Sequence, residues 1–334
     1  MAGTVNRQII LAELPKGRLS TENFKMRETQ TPEPMEGGVL LRVRLVSLDA
    51  ANRAWMQGET YRGAMNAGNV MDGYGIAQVI KSKAASLAPG DLVLTTTGWQ
   101  DYVALPATNV LKVERIDPLT HLLSVYGIAG RTAYHGLLSI GQPKEGETVV
   151  VSAAAGSVGS FVGQIAKVRG CRAIGIAGSP EKCSWLVNEL GFDEAINYKQ
   201  GNLSSALKAA SPAGIDIYFD NVGGVILDAC LAQMKLYGRI ICCGAVSSYD
   251  GDVPDRGMRG APMQIVIKRL MLKGFIMSDF NAERDRAIAD LKAWVQAGRI
   301  KVIEDVRDGL ETLPSALVGL LAGENRGKRM VRVS

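Results

Sequence analysis

The segment Ser152-Ala-Ala-Ala-Gly-Ser-Val-Gly-Ser160 is the stretch whose residue types and spacing most directly suggest chemistry. It follows the apolar run Thr148-Val-Val-Val-Ser152, which suits a strand buried on both faces. It precedes Val158, Phe161, Val162, Ile165 and Ala166, spaced as one face of a helix. A glycine-bearing turn from a buried strand into a helix offers free N–H groups and a positive dipole end to phosphates. Against the fingerprint G-x-G-x-x-G the chain reads Ala154-x-Gly156-x-x-Gly159. Gly156 lets the backbone approach a pyrophosphate, and Gly159 lets the helix pack tightly on the sheet. Alanine at position 154 departs from the pattern, because the tight turn there favours glycine. The bland alternative is a strand-to-helix turn that binds nothing.

The second strand says which nucleotide is expected. A site for NAD normally carries Asp or Glu about 20 residues further on, to hold the ribose 2′-hydroxyl. Here the strand Cys171-Arg-Ala-Ile-Gly-Ile176 ends in Ala177-Gly-Ser-Pro-Glu-Lys182, with Gly178 and Ser179 at the usual acid position. Lys182 is suited to a 2′-phosphate, which favours NADP; its alternative is a solvated helix lysine. Glu181, just inside the next helix, serves the dipole. Ser179-Pro180 reads as an N-cap followed by proline at the first helical position.

These residues need a scaffold, and the wider pattern supplies one. Up to about residue 120 the chain is β-rich, with strands expected at Val39–Val46, Gly75–Ile80 and Asp91–Thr95 and a turn at Pro89-Gly90. Around Tyr126 short apolar strands begin to alternate with helical patterns: Ile215–Phe219, Gly238–Cys243 and Leu270–Ile276 continue the series. That alternation is the signature of a doubly wound parallel sheet, so the fold class is α/β, a Rossmann sheet plus a β-rich unit. Met330-Val-Arg-Val-Ser334 is a short strand returning to the first unit. The expected division is 1–124 with 300–334, and 125–299.

Composition agrees with a folded chain of two units. The 334 residues are 47% apolar and 21% charged, with 38 glycines and a net charge of +5. The largest basic cluster, Arg326-Gly-Lys-Arg329, is too small for a nucleic-acid stripe. No run of 18 apolar residues occurs, so no membrane span is expected. Five cysteines (171, 183, 230, 242 and 243) lack disulfide-framework or zinc spacing, and the first residues lack a signal pattern. A cytoplasmic protein is expected. The only histidines are His121 and His135, and no cysteine precedes Cys171, so three protein ligands for a catalytic zinc do not come together at plausible spacing. No metal is expected.

Six segments then occur in order: Ala153–Ser160, Ala177–Lys182, Ile196-Asn-Tyr-Lys199, Asp220-Asn-Val-Gly-Gly224, Cys243-Gly-Ala-Val-Ser-Ser-Tyr249 and Gly323-Glu-Asn-Arg-Gly-Lys328. Together they resemble the zinc-independent branch of the medium-chain dehydrogenase/reductases, the group of prostaglandin reductases (leukotriene hydroxydehydrogenases) and bacterial curcumin reductases, over nearly the whole chain. The resemblance implies a GroES-like first unit and an NADPH-dependent reductase of the C=C bond of α,β-unsaturated ketones and aldehydes. It also implies a homodimer. Carried over by position, Ala155, Gly156, Ser157 and Val158, with Gly159, hold the pyrophosphate. Gly178, Ser179, Lys182 and Tyr198 face the 2′-phosphate end. Asn221 sits near the cofactor, Cys243, Ala245 and Tyr249 border the ribose and nicotinamide, and Phe275, Met277 and Asn325 enclose the nicotinamide side. Asn221 and Tyr198 have the alternative of an ordinary loop residue and a surface tyrosine.

The first unit departs further from the family. Ser47–Met56 matches in outline, but where the family often has a Tyr followed by a Pro-Pro-Val run, this chain has Tyr61 and then Arg62-Gly-Ala-Met-Asn-Ala. The stretch walls the substrate pocket, with Arg53, Tyr61 and Met71 as candidate lining; Arg53 could instead be a structural ion-pair partner. Hydride transfer from nicotinamide to the enone β-carbon builds charge on the carbonyl oxygen, which needs hydrogen-bond donors. Tyr61 and Tyr249 are the candidate catalytic donors, each able to donate while neutral. A quinone reductase of the same superfamily and a non-catalytic NADPH-binding protein are the alternatives.

Overall fold

The computed structural model describes residues 5–59, 63–250 and 261–334. The chain opens with the antiparallel pair β1 (Val5–Leu11) and β2 (Phe24–Gln30). There follow β3 (Gly38–Ser47), the short helix α1 (Ala51–Ala54), β4 (Tyr74–Ser82), β5 (Leu92–Thr96), β6 (Tyr102–Pro106) and β7 (Leu111–Val113). Helix α2 (Ile128–Tyr134) leads out of this β-rich part.

The second part alternates strand and helix, as the sequence pattern predicts. In order come β8 (Thr148–Val151), α3 (Gly159–Val168), β9 (Arg172–Ala177), α4 (Pro180–Asn188), β10 (Glu194–Asn197) and α5 (Leu203–Ala210). Then come β11 (Ile215–Asp220), α6 (Gly224–Gln233), β12 (Met234–Cys242), α7 (Ala261–Lys268), β13 (Met271–Gly274) and α8 (Arg284–Gln296). The strands pair in the order β10-β9-β8-β11-β12-β13, all parallel. β12 starts four residues earlier than the apolar run predicts, because its first part pairs with Ile215 before a register shift. β13 is shorter than Leu270–Ile276.

Both faces of this sheet are covered. Val149 and Val151 of β8 join Phe161, Val162 and Ile165 of α3 in one core, while Val150 joins Ile174, Tyr218 and Ile240 in the other. This is why β8 is an unbroken apolar run rather than an alternating one.

The chain ends with β14 (Glu304–Asp308), α9 (Leu313–Leu321) and β15 (Lys328–Arg332). β15 pairs antiparallel with β3 and parallel with β14, so the C-terminal strand does return to the first sheet, whose order is β14-β15-β3-β4-β5-β7 with β6 also on β3. Among the described residues, no helix is long and apolar enough to cross a membrane.

Candidate nucleotide site at the sheet switch point

Strand order reverses between β8 and β11, and the crevice at their carboxyl ends is where open α/β sheets bind ligands. The loop leaving β8 is 152–158. Among the described residues, the amides of Ala155, Ser157, Val158 and Gly159 donate no hydrogen bond, while the Gly156 amide closes a turn on the Ala153 carbonyl at 2.9 Å. Gly156, Ser157 and Val158 are partly exposed. The result is a cluster of unsatisfied donors at the start of α3, suited to pyrophosphate oxygens.

The departure from the glycine fingerprint has a local explanation. The left-handed residue of the turn is Ala153, with φ +47°, not residue 154. Ala154 has an ordinary backbone and is fully buried, its amide bonded to the Ile176 carbonyl at 3.0 Å. Gly159 is required for space: a Cβ there would lie 2.4 Å from the Ala153 carbonyl oxygen. At Gly156 the same carbonyl would be 3.1 Å away, a tight but milder contact.

The loop leaving β11 is locked to the one leaving β8. Asp220 is buried, and its Oδ1 accepts from the Tyr218 hydroxyl (2.7 Å), the Ser152 hydroxyl (3.2 Å) and the amides of Val222 (3.0 Å) and Gly223 (2.9 Å). Asn221 donates from Nδ2 to the Ser152 carbonyl at 2.8 Å, and its amide donates to the Ser152 hydroxyl at 2.9 Å. Asn221 thus ties the two loops together at the switch point. Burial, with Cys230 and the Asp220 carboxylate beside it, holds the Tyr218 phenol well above its ordinary range, so it stays a donor.

The carboxyl end of β9 collects cations from separate parts of the chain. Ser179 caps α4 by accepting from the Lys182 amide, with Pro180 in the first turn. The Glu181 carboxyl is held low, first by its own backbone amide and then by the Ser179 hydroxyl. The Lys182 ammonium donates to the Gly323 carbonyl at 2.6 Å. Partial burial pushes its pKa down, and Arg326, Arg329 and Lys199 add like-charge repulsion. Arg326 lies over the Trp185 ring at 6.0 Å and Lys199 over the Tyr198 ring at 5.9 Å. A Cβ on Gly178 would meet Tyr198 at 3.3 Å and Lys199 at 3.4 Å, so Gly178, Tyr198 and Lys199 border one space. Cations that repel one another around an open surface favour an anion of high charge. The sequence does not single out Lys199 and Arg326 as ligands; their signal is position inside the third and sixth of the six ordered segments.

The segment after α9 completes the wall. The Gly327 amide donates to the Ala155 carbonyl at 2.9 Å, and buried Asn325 donates from Nδ2 to the Gly327 carbonyl at 2.8 Å. On the other side of the crevice, the Cys243 and Gly244 amides donate to the Asp220 carbonyl. The Tyr249 hydroxyl accepts from the Ala245 amide at 3.0 Å. Burial, with Asp220 beside it, pushes the Cys243 thiol up to about 12, so it stays a neutral thiol. Phe275 is half-buried and meets Phe280 edge-on at 6.1 Å, and Met277 is half-buried at the start of the next turn.

Two expected pocket residues are buried side chains. Met71 is fully buried among Ile9, Leu11, Val46 and Trp99, where it fills the core of the first part; as an apolar residue hydrogen-bonded through its backbone to Ile9 and Trp99, it has no open face. Arg53 is 3% exposed and ion-paired with Asp250, the structural role held open for it above. Tyr61 lies outside the described residues. His135 is buried and stacked on Phe280 at 4.5 Å, and His121 packs edge-on against Tyr126. Among the described residues, no three His, Cys, Asp or Glu side chains gather as metal ligands.

The chain is similar to known proteins along nearly its whole length. Residues 7–113 match a family described as the N-terminal domain of oxidoreductase, and residues 157–293 match one described as zinc-binding dehydrogenase. The chain is 40% identical over 335 residues to the NADPH-dependent curcumin reductase of Escherichia coli, covering 98% of this chain and 97% of the relative. It is 39% identical over 337 residues to the NADP(+)-dependent 2-alkenal reductase of Nicotiana tabacum, covering 98% of each. The crystal structure of CurA from Vibrio vulnificus in complex with NADPH superposes with a TM-score of 0.94 at 40% identity, covering 98% of this chain and 99% of that one.

Proposed function

The chain belongs to the zinc-independent group of the medium-chain dehydrogenase/reductases, and from that premise we propose that it reduces the C=C bond of α,β-unsaturated ketones and aldehydes with NADPH. The observation that carries the cofactor choice is the convergence of Lys182, Lys199 and Arg326, with no acid at residue 178 or 179. The ordered likeness to enone and alkenal reductases over 98% of the chain supports the acceptor class.

In this reading the free amides of Ala155, Ser157, Val158 and Gly159 hold the pyrophosphate. Gly178, Ser179, Lys182 and Tyr198 border the 2′-phosphate end, joined by Lys199 and Arg326. Asn221, Cys243, Ala245, Tyr249, Phe275, Met277 and Asn325 surround the ribose and nicotinamide. Bound there, NADPH supplies the hydride. The protein's own work is orientation and electrostatics. Negative charge grows on the enone oxygen, and preorganised donors must meet it. Tyr61 and Tyr249 are the assigned donors. A phenol donates while neutral, so both act at neutral pH. Residues 125–299 serve mainly the cofactor, joined by Asn325 and Arg326, and 1–124 with 300–334 mainly the acceptor, joined by Tyr249.

A homodimer through β13 belongs to the same reading. β13 is the edge of its sheet, and the adjoining α7 exposes Met263, Val266 and Ile267. A second copy would cover both the unpaired edge and this apolar face. The cytoplasm is the assigned compartment, supported by five unpaired cysteines and by the absence of a spanning helix among the described residues.

The test is NADPH oxidation against a straight-chain enone, an aryl enone, a quinone and a saturated ketone, with NADH in parallel and the products identified. Saturated ketone formed from the enones with NADPH is expected. Turnover of the quinone alone would replace this reading with a quinone reductase, and tight NADPH binding without any turnover with a binding protein.

A further inference from the structure

Arg53 joins three segments that are distant in sequence. Its Nε donates to Asp250 Oδ1 at 3.0 Å and its Nη2 to the Gly17 carbonyl at 2.8 Å. The same Asp250 oxygen accepts the Leu19 amide at 2.7 Å. One turn along, Gln57 Nε2 donates to the carbonyls of Ser248 (3.0 Å) and Tyr249 (3.1 Å). The turn 246–250, which leaves the parallel sheet and carries Tyr249, is therefore gripped from the first part of the chain at three successive residues.

The grip is built to be stiff. The Arg53 side chain is only 4% exposed and its partner carboxylate 20%, so the pair is little screened. Arg53 sits on α1, whose start is braced by the Asp49 amide donating to Asn52 Oδ1 at 2.8 Å and by the buried Lys328 ammonium bonded to Asp49. Tyr249 is held at its other end by the Ala245 amide.

We propose that Arg53, acting through Asp250, is a positioning residue that fixes the Tyr249 turn against the substrate-binding half of the cleft. This rests on the enone-reductase reading above. Losing Asp250 leaves the Arg53 charge buried without its counter-charge, and losing Arg53 leaves the half-buried Asp250 carboxylate without its cation, so the turn shifts to find solvent. A displacement of about 1 Å at a reacting centre costs roughly 100-fold in rate. The pyrophosphate and 2′-phosphate contacts lie on other loops and are untouched.

The experiment compares wild type, R53A, R53K, D250N and the R53A/D250N double variant. Hydrogen exchange at the Leu19 amide and across 246–250 reads the latch without substrate. At least tenfold faster exchange is expected in R53A and D250N. With an enone, R53A and D250N are expected to lose about 10- to 100-fold in kcat while NADPH affinity, carried mainly by phosphate contacts on other loops, falls by clearly less than the rate, and R53K to recover part of the rate. The double variant should be no slower than the slower single one. Should R53A fail to fold, D250N carries the comparison. Unchanged exchange, additive rate losses, or equal losses in kcat and NADPH affinity would overturn the proposal. A wild-type enzyme that turns over no enone would overturn the functional reading instead, leaving the exchange result to stand alone.

Discussion

The Lys182 ammonium donates to the Gly323 carbonyl oxygen at 2.6 Å, across 141 residues of chain. This contact brings the segment bearing Arg326 to the carboxyl end of β9, where Arg326, Arg329 and Lys199 repel the Lys182 ammonium. A charge-assisted hydrogen bond is worth about 1.5–3 kcal/mol, or roughly 10- to 100-fold in binding. K182Q and R326A should each weaken NADPH by that range and NADH little, as read by fluorescence titration. Equal weakening of both nucleotides would move the 2′-phosphate elsewhere.

Gly159 and Gly156 should behave differently, although both belong to the fingerprint. G159A drives a methyl to within 2.4 Å of a backbone carbonyl that cannot swing away. It should lower stability by about 1–3 kcal/mol and reduce NADPH affinity by thermal and binding measurements. G156A meets one carbonyl at 3.1 Å and should keep stability near wild type while weakening the pyrophosphate contact. Equal loss of stability in both would contradict the geometry.

Thiol reagents should leave the enzyme nearly untouched at neutral pH. Burial raises all five thiols, with Cys171 at about 11 and Cys243 at about 12. The thiolate is the reactive form, so reactivity is negligible near pH 7 and climbs as pH rises toward those values. Iodoacetamide labelling followed by mass spectrometry across a pH series checks this. Rapid modification of Cys243 at neutral pH would show a lowered thiol instead.

A charge placed on the exposed face of α7 should separate the proposed dimer. Val266 is 70% exposed and Ile267 55%, so V266D and I267D cost little within one chain. Light scattering should show the wild type as a dimer and the V266D/I267D variant as a monomer, with NADPH affinity retained. A wild type that is monomeric at micromolar concentration would end this assignment.

How much of this was legible in the chain depends on distance along it. The Thr148–Ser160 segment was readable because strand, turn and helix are contiguous, and its donors follow from local backbone geometry alone. The buried apolar run of β8 and the capping of α4 by Ser179-Pro180 were local in the same sense. Where the left-handed turn residue falls was not: residue 154 is the fingerprint position, but the turn is made at Ala153.

The sequence by itself therefore determined the α/β alternation, the glycine-bearing strand-to-helix loop and the absence of an acid at residues 178 and 179. Those are properties of neighbouring residues and of periodic burial. Only the tertiary structure decided that Met71 is core and that Arg53 spans 197 residues to Asp250. It alone set Arg326 beside Lys182 and bound Asn221 to Ser152. An arginine or an asparagine carries the same chemistry wherever it lies in a chain. Its role is chosen by which charge or carbonyl the fold brings within hydrogen-bond distance, and strand order, not residue order, makes that choice.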